Sequence, residues 1–417
     1  MVNFAYRCAA RVLHRVPLPS GKLATSVVGR RRATPQWLEW SSHHRTDGPL
    51  IWVHGASVGE GLTAVPVLQR IRRSLPSIQT VHTYSSPSAA EWPGCFGADR
   101  SDYIPLDEPG PTADVLGALK PAILVYSRGD LWPELTIQAA QKGVPIAVIG
   151  AEIRTTSRRW TWRSSSFVRL PLERITWLGA VSNDDAGRWR SMGVPESAIA
   201  VTGDPRHDRA IERISDSARL NPLLAANPTL VAGSTDARDE QVILEAFREL
   251  LRDRPNLRTL LAPHRPDAQH VQNTLGEARR MGMTSGAWRV GDDAPQASLL
   301  VITSLGLLAD LYALADVAYV GGGFKKKGLH TVLEPAAFGV PVIVGPEYRH
   351  FRDAELVINS GGGVSLSRKS PAQECFEQCQ RWLEFPDERT VAGLAARRSL
   401  EAGAAETTAR ALLALIR

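Results

Sequence analysis

The chain has 417 residues and a formal net charge of +6, with a pI of about 9.3. Its length suggests two domains of roughly 200 residues each, and 43% apolar residues supply two ordinary cores while excluding a membrane-embedded chain. Four cysteines (Cys8, Cys95, Cys375, Cys379) exclude a disulfide scaffold at this size, and no run approaches the roughly 18 apolar residues of a membrane span.

The basic balance comes mostly from arginine. It suits anionic lipid, phosphorylated sugar, nucleotide or nucleic acid, and equally an Arg-rich composition with no such partner. Cys375 and Cys379 stand one helical turn apart without a paired zinc spacing, so they read as packing residues, and a reducing compartment is the default. The first residues, Met1 to Leu13, carry arginines inside the run and make no convincing signal peptide. They fit a basic amphipathic helix on a membrane surface and, equally, a packed N-terminal helix.

Along the first half, apolar β-rich runs fall at Leu50–His54, Gln79–Tyr84, Ala122–Tyr126, Pro145–Gly150, Thr176–Val181 and Ala198–Thr202. Helix-like stretches such as Thr63–Leu75 and Pro133–Lys142 alternate with them. Alternation of this kind means βαβ units and a parallel sheet, with strands such as Ile146–Ile149 buried on both faces. A polar, proline- and asparagine-rich stretch at Arg206–Pro228 reads as the linker. A second series follows at Thr229–Ala232, Arg258–Ala262, Leu299–Thr303, Asp316–Gly321 and Pro341–Val344, with helices over Glu240–Asp253 and Asp267–Met281. From Ala372 onward the pattern is helical. The expected fold is α/β, with two doubly wound domains (1–211 and 212–417) whose strand ends face a central cleft.

The candidate chemistry sits where strands end. Ile51-Trp-Val-His-Gly-Ala-Ser-Val-Gly-Glu60 runs from a strand through small residues into a helix start, which aims Glu60 at a ligand as a general base; His54 and Ser57 belong to the same turn. Tyr126-Ser-Arg-Gly-Asp-Leu-Trp-Pro133 places Arg128 and Asp130 towards the cleft; the plainer alternative has Asp130 capping the helix and Trp132 packing. Ala232-Gly-Ser234-Thr235 reads as a phosphate site or as a plain helix cap. His264 and Arg265 suit a carboxylate or phosphate, or a simple surface loop. Gly321-Gly322-Gly323 lets backbone approach a ligand. Near it, Gly328-Leu-His330 precedes Thr331, a candidate cap for the helix carrying Glu334, which suits ribose hydroxyls. Lys325, Lys326 and Lys327 steer an anion or form a solvated loop. No Gly-x-Gly-x-x-Gly fingerprint precedes either glycine turn, which weakens a dinucleotide reading. No Asp-x-Asp and no His/Cys ligand set occurs, so neither a metal nor a cofactor is expected.

Taken in order, these motifs resemble the 3-deoxy-D-manno-octulosonic acid (Kdo) transferases of lipopolysaccharide assembly, over about residues 21–365. The resemblance rests on His54–Glu60, Tyr103–Asp107, Asp130–Pro133, Val201–Asp204 with Arg206 and Asp208, Ala232–Thr235, Leu311–Gly322, His330 and Leu333–Pro335. It implies a GT-B glycosyltransferase that moves Kdo from CMP-Kdo to a lipid A precursor with inversion. Glu60 would then be the base. Ser234, Thr235 and the Gly322–Gly323 turn would hold the donor phosphate, with Glu334 on the ribose, His264 or Arg265 on the donor and His330 beside it. It also implies peripheral work at the cytoplasmic face of the inner membrane. Arginines 30–32, 70, 72 and 73 are candidates for contact with an anionic surface, or for a solvated basic face. The chain departs from the family pattern at Arg128 (commonly an acid), at Leu307 (often an acid), at Thr331 (usually Asn) and in the order His264-Arg265. Two alternatives remain: another GT-B nucleotide-sugar transferase or epimerase, and a non-catalytic binding protein on the same scaffold.

Overall fold

The computed structural model describes residues 4–15, 20–154, 160, 166–213, 220, 223, 227–326 and 328–416. The chain divides into two compact units, 1–209 with 401–417, and 210–400. Each is built on one seven-stranded sheet in which every pairing is parallel.

In the first unit the strands are β1 (Leu50–His54), β2 (Gln79–Tyr84), β3 (Arg100–Tyr103), β4 (Ile123–Ser127), β5 (Ile146–Ala151), β6 (Trp177–Ala180) and β7 (Ile199–Val201). Their order is β3-β2-β1-β4-β5-β6-β7. The order reverses between β1 and β4, so the turns after these two strands flank the switch point where doubly wound sheets take ligands. β1 and β4 are buried along their whole length, which is why they read as unbroken apolar runs. β3, with the polar sequence Arg-Ser-Asp-Tyr, is an edge strand that gives no such run.

The second unit holds β8 (Thr229–Thr235), β9 (Arg258–Pro263), β10 (Ser285–Trp288), β11 (Leu299–Ile302), β12 (Val317–Val320), β13 (Val342–Val344) and β14 (Gly363–Ser365). Its order is β10-β11-β9-β8-β12-β13-β14, with the reversal between β8 and β12. Cys375 and Cys379 are buried and free in this unit's core, packed with Phe247 and Trp382.

Two helices are placed in ways that local pattern did not give. Helix Lys22–His44 buries Trp37, whose indole N–H donates to the Tyr103 carbonyl at 2.9 Å. The final helix, Ala404–Ile416, belongs to the first unit, although continuity of sequence suggests the second. Ala405, Ala409 and Leu412 join a core cluster with Ile51 and Val53. Asp208 accepts the Gly403 and Ala405 amides at 2.7 and 2.9 Å, and the Glu401 amide donates to His207 Nδ1 at 3.1 Å. The two bonds to Asp208 satisfy backbone donors that a helix start leaves open. The expected linker contains helix Pro205–Glu212; residues 214–219, 221–222 and 224–226 lie outside the described residues.

Among the described residues, no helix is long and apolar enough to cross a membrane. The N-terminal helix Phe4–Arg15 is tied to the first unit: Arg7 pairs with the fully buried Glu134 through two bonds of 2.8 and 2.9 Å. Arg11, Val12 and Arg15 remain exposed. Of the arginines expected to meet an anionic surface, Arg30 is a correction. It is 4% exposed, with its guanidinium 4.1 Å above the Trp132 ring. Arg70 lies 3.7 Å from Asp208, and Arg72 bonds Asp99 at 2.9 Å. Arg31, Arg32 and Arg73 are exposed.

Candidate active site

Around the first unit's switch point, β1 delivers His54 and the following turn delivers Ser57 and Glu60. Glu60 sits half-buried in the first turn of helix Val58–Ser74, and Ser127 Oγ, at the end of β4, donates to its backbone carbonyl at 2.5 Å. Two glycines permit this close turn. A Cβ on Gly55 would lie 2.7 Å from the Gly61 nitrogen, and one on Gly61 would lie 2.4 Å from Phe96.

His54 is fully buried and its tautomer follows from its neighbours. The Trp132 indole can only donate, and it reaches His54 Nε2 at 2.9 Å. The ring therefore accepts there and carries its proton on Nδ1, which donates to Thr83 Oγ at 3.0 Å. Thr83 also accepts from Trp52 at 2.9 Å. Asp130 Oδ2 lies 3.7 Å from His54 Nε2.

Asp130 does not cap helix Pro133–Gln141; Asp107 does. Its carboxylate accepts the Glu134 and Leu135 amides at 3.0 and 2.9 Å, and the Tyr6 hydroxyl at 2.6 Å. Burial pushes the Asp107 pKa up in spite of these donors. A cap supplied from a preceding loop leaves no mark at the helix's own sequence start.

Arg128, the residue after β4, lies in the left-handed region, at φ 59°, where a side chain is strained. Its guanidinium pairs with Glu152, after β5, and with Asp204, after β7, at 3.0 Å. Arg206 reaches Asp204 at 2.6 Å. Burial works against the Asp204 charge, but Arg206 and Arg128 together hold its carboxyl well below the usual range. A basic residue at this position thus has acids beyond the ends of β5 and β7 to match it.

Behind the turn, His82 of β2 is 1% exposed, stacked on Phe96 at 3.9 Å, and both ring nitrogens lack a hydrogen-bond partner. Burial, aided by His54, holds its pKa down to about 3. The unfolded chain therefore takes up this proton first as pH falls. Stability is complete above about 6.5 and declines below it, by about 2 kcal/mol at pH 5 for this group alone. In His82→Leu the fall in urea midpoint between pH 7 and pH 5 should be smaller than in the parent; an equal fall would show that His82 is not the sensor.

In the second unit, three segments meet at the β8–β12 switch point. The C-terminal end of β8 carries Ser234, left-handed at φ 54°, and Thr235. The loop after β9 carries His264, whose amide donates to the Thr235 carbonyl at 3.0 Å. The loop after β12 carries Gly321 to Gly323 and His330, whose amide donates to the Gly321 carbonyl at 3.1 Å. The His264 and His330 rings pack with centroids 4.4 Å apart. Burial, with His264 beside it, lowers the His330 pKa to about 4. His264 and Arg265 are exposed. Gly322 has φ 86°, and a Cβ there would lie 1.9 Å from the Gly328 carbonyl oxygen, so no side chain fits. Glu334 is half-buried in the first turn of helix Leu333–Ala337, and Thr331 Oγ accepts the Leu333 amide at 3.2 Å. Lys325 pairs with Asp236 at 2.5 Å; Lys327 lies outside the described residues. Leu307 is a buried core residue.

Sequence reasoning missed Asp239 and Glu240, on the first turn of helix Ala237–Asp253. Both are buried. Glu240 accepts from Thr235 Oγ at 2.9 Å, His270 Nε2 at 2.8 Å and Thr274 Oγ at 2.7 Å. The Thr235 hydroxyl proton is therefore directed inward. Asp236 and Asp239 form a capping box; the pattern Asp-x-x-Asp was the signal available. Among the described residues, no group of three His, Cys, Asp or Glu side chains is arranged to hold a metal.

Residues 29–209 match the family model described as 3-deoxy-D-manno-octulosonic-acid transferase (kdotransferase). The 3-deoxy-D-manno-octulosonic acid transferase of Bordetella pertussis is 30% identical over 412 residues, covering 92% of this chain and 93% of that protein. The chain belongs to the Kdo transferase family. It is accordingly a glycosyltransferase, with the two Rossmann-like units of a GT-B enzyme. The Haemophilus influenzae 3-deoxy-D-manno-octulosonic acid transferase is 28% identical over 332 residues, 78% of this chain and 77% of that one. Among solved structures, UDP-GlcNAc 2-epimerase from Neisseria meningitidis, bound to UDP-GlcNAc, aligns with 88% of this chain and 100% of its own, at a TM-score of 0.63 and 14% identity. That likeness is one of fold alone.

Proposed function

We propose that this Kdo transferase family member transfers Kdo from CMP-Kdo to a lipid A precursor (lipid IVA), with inversion and without a metal, using Glu60 as general base. The observation that carries this reading is similarity to a Kdo transferase along almost the whole chain. The placement of Glu60 at the β1–β4 switch point supports its role. An acceptor hydroxyl is a poor nucleophile at neutral pH, and a carboxylate on a turn built from close-packed glycines is suited to take its proton. Donor binding falls to the second unit. There the segment with Ser234 and Thr235 and the glycine turn with Gly322 and Gly323 are assigned to the departing phosphate. Glu334 takes the ribose hydroxyls, and His264, Arg265 and His330 flank the donor. Arg128 and Asp130 order the acceptor side.

Work at the cytoplasmic face of the inner membrane, by peripheral contact, is part of the same proposal. Arg11, Val12 and Arg15 on the outer side of the N-terminal helix, with Arg31 and Arg32, offer a basic surface with an apolar residue in it. Incubation of the purified chain with CMP-Kdo and lipid IVA, read by mass spectrometry, should yield an acceptor heavier by one or more Kdo units. No product with CMP-Kdo, alongside tight binding of UDP instead of CMP, would favour another GT-B sugar-nucleotide enzyme.

A further inference from the structure

The glycine turn after β12 is held by a side chain from another element. Asp239 is buried on the first turn of helix Ala237–Asp253. One carboxylate oxygen, Oδ2, accepts the Gly322 amide at 2.8 Å and the Asp236 amide at 3.0 Å. The other, Oδ1, accepts the Tyr319 hydroxyl at 2.9 Å. Three segments thus converge on one carboxylate: the helix start after β8, the body of β12, and the glycine turn that follows it. The Gly322 amide is spent inside this knot. A Cβ on Gly321 would lie 2.4 Å from the Ser234 carbonyl oxygen, so the two turns already touch backbone to backbone. Such packing leaves no slack for a bulkier or shifted turn.

We infer that Asp239 is a positioning residue for the donor: it fixes the spacing between the segment that carries Ser234, Thr235 and the helix start and the glycine turn after β12, the two segments assigned to the donor phosphate. The inference rests on the donor reading given above and names what sets the geometry of that site. Asp239 touches no substrate. Displacing backbone donors by about 1 Å is enough to cost on the order of 100-fold in a site of this kind.

Two substitutions separate the roles of shape and charge. In Asp239→Asn the side-chain oxygen can take both amides, while its NH2 donates to Tyr319, whose hydroxyl oxygen accepts. In Asp239→Ala the tie is gone. With the full chain, calorimetry with CMP and steady-state kinetics with CMP-Kdo should show at least about a tenfold rise in CMP Kd and in KM for CMP-Kdo for Asp239→Ala. KM for the acceptor should stay unchanged, and Asp239→Asn should recover most of the loss. If Asp239→Ala fails to fold, Tyr319→Phe removes one of the three bonds and should raise the CMP Kd severalfold with Asp239 in place. The inference is overturned if folded Asp239→Ala binds CMP within about twofold of the parent, if acceptor KM rises as much as donor KM, or if Asp239→Asn is as weak as Asp239→Ala. A parent protein that binds no CMP would instead refute the donor reading itself, whatever Asp239 does.

Discussion

Glu60→Gln is expected to lower Kdo transfer by about 10²–10⁴-fold, the usual contribution of a positioned general base. The amide keeps the shape of the side chain and its place in the first turn, and loses the ability to take a proton from the acceptor hydroxyl. Because Glu60 sits at a helix N-terminus, losing its charge costs stability only about 0.3–1 kcal/mol. CMP affinity should be unchanged, since donor binding is assigned to the second unit. The decisive comparison is single-turnover transfer against CMP titration on the same preparation. Full transfer in Glu60→Gln would remove it as the base; a parallel loss of CMP binding would mean that the substitution disturbs more than proton transfer.

Asp107→Ala should be the most destabilising polar substitution among those considered, at about 3–5 kcal/mol. Alanine would strand the Tyr6 hydroxyl and the Glu134 and Leu135 amides in a buried setting, and each orphaned donor costs about 1–3 kcal/mol. The damage should reach the active turn. Helix Pro133–Gln141 begins beside Trp132, whose indole fixes the His54 ring. Urea unfolding monitored by tryptophan fluorescence would show the lower midpoint, and Asp107→Asn should restore part of it. An unchanged midpoint in Asp107→Ala would mean that the cap and the Tyr6 tie contribute nothing to stability.

Much of the fold was legible because buried parallel strands are written as short apolar runs. β1, β4, β5, β8 and β9 stand where those runs stand. Edge strands β3, β10 and β14 were not read, because a strand exposed on one side carries polar or small residues and loses the run. The candidate catalytic and donor positions were legible for a related reason: ligands sit at strand C-terminal ends, so glycine, hydroxyl and acid residues just after an apolar run mark them.

Side-chain partnerships were not legible, because they join residues far apart in sequence. Asp107 caps a helix that begins 26 residues later, at Pro133. Arg128 is matched by Glu152 and Asp204. Arg30 lies under the surface, against Trp132. By itself, then, the sequence determined the alternation of strands and helices, the two sheets and the turns that end at their switch points, since local hydrophobic period and turn chemistry dictate these. Only the tertiary structure decided that the last helix returns to the first unit, that the Thr235 hydroxyl turns inward to Glu240, and that Asp239 holds the glycine turn. Each of these depends on a buried polar group finding its partner across the fold, a constraint that no local window of residues contains.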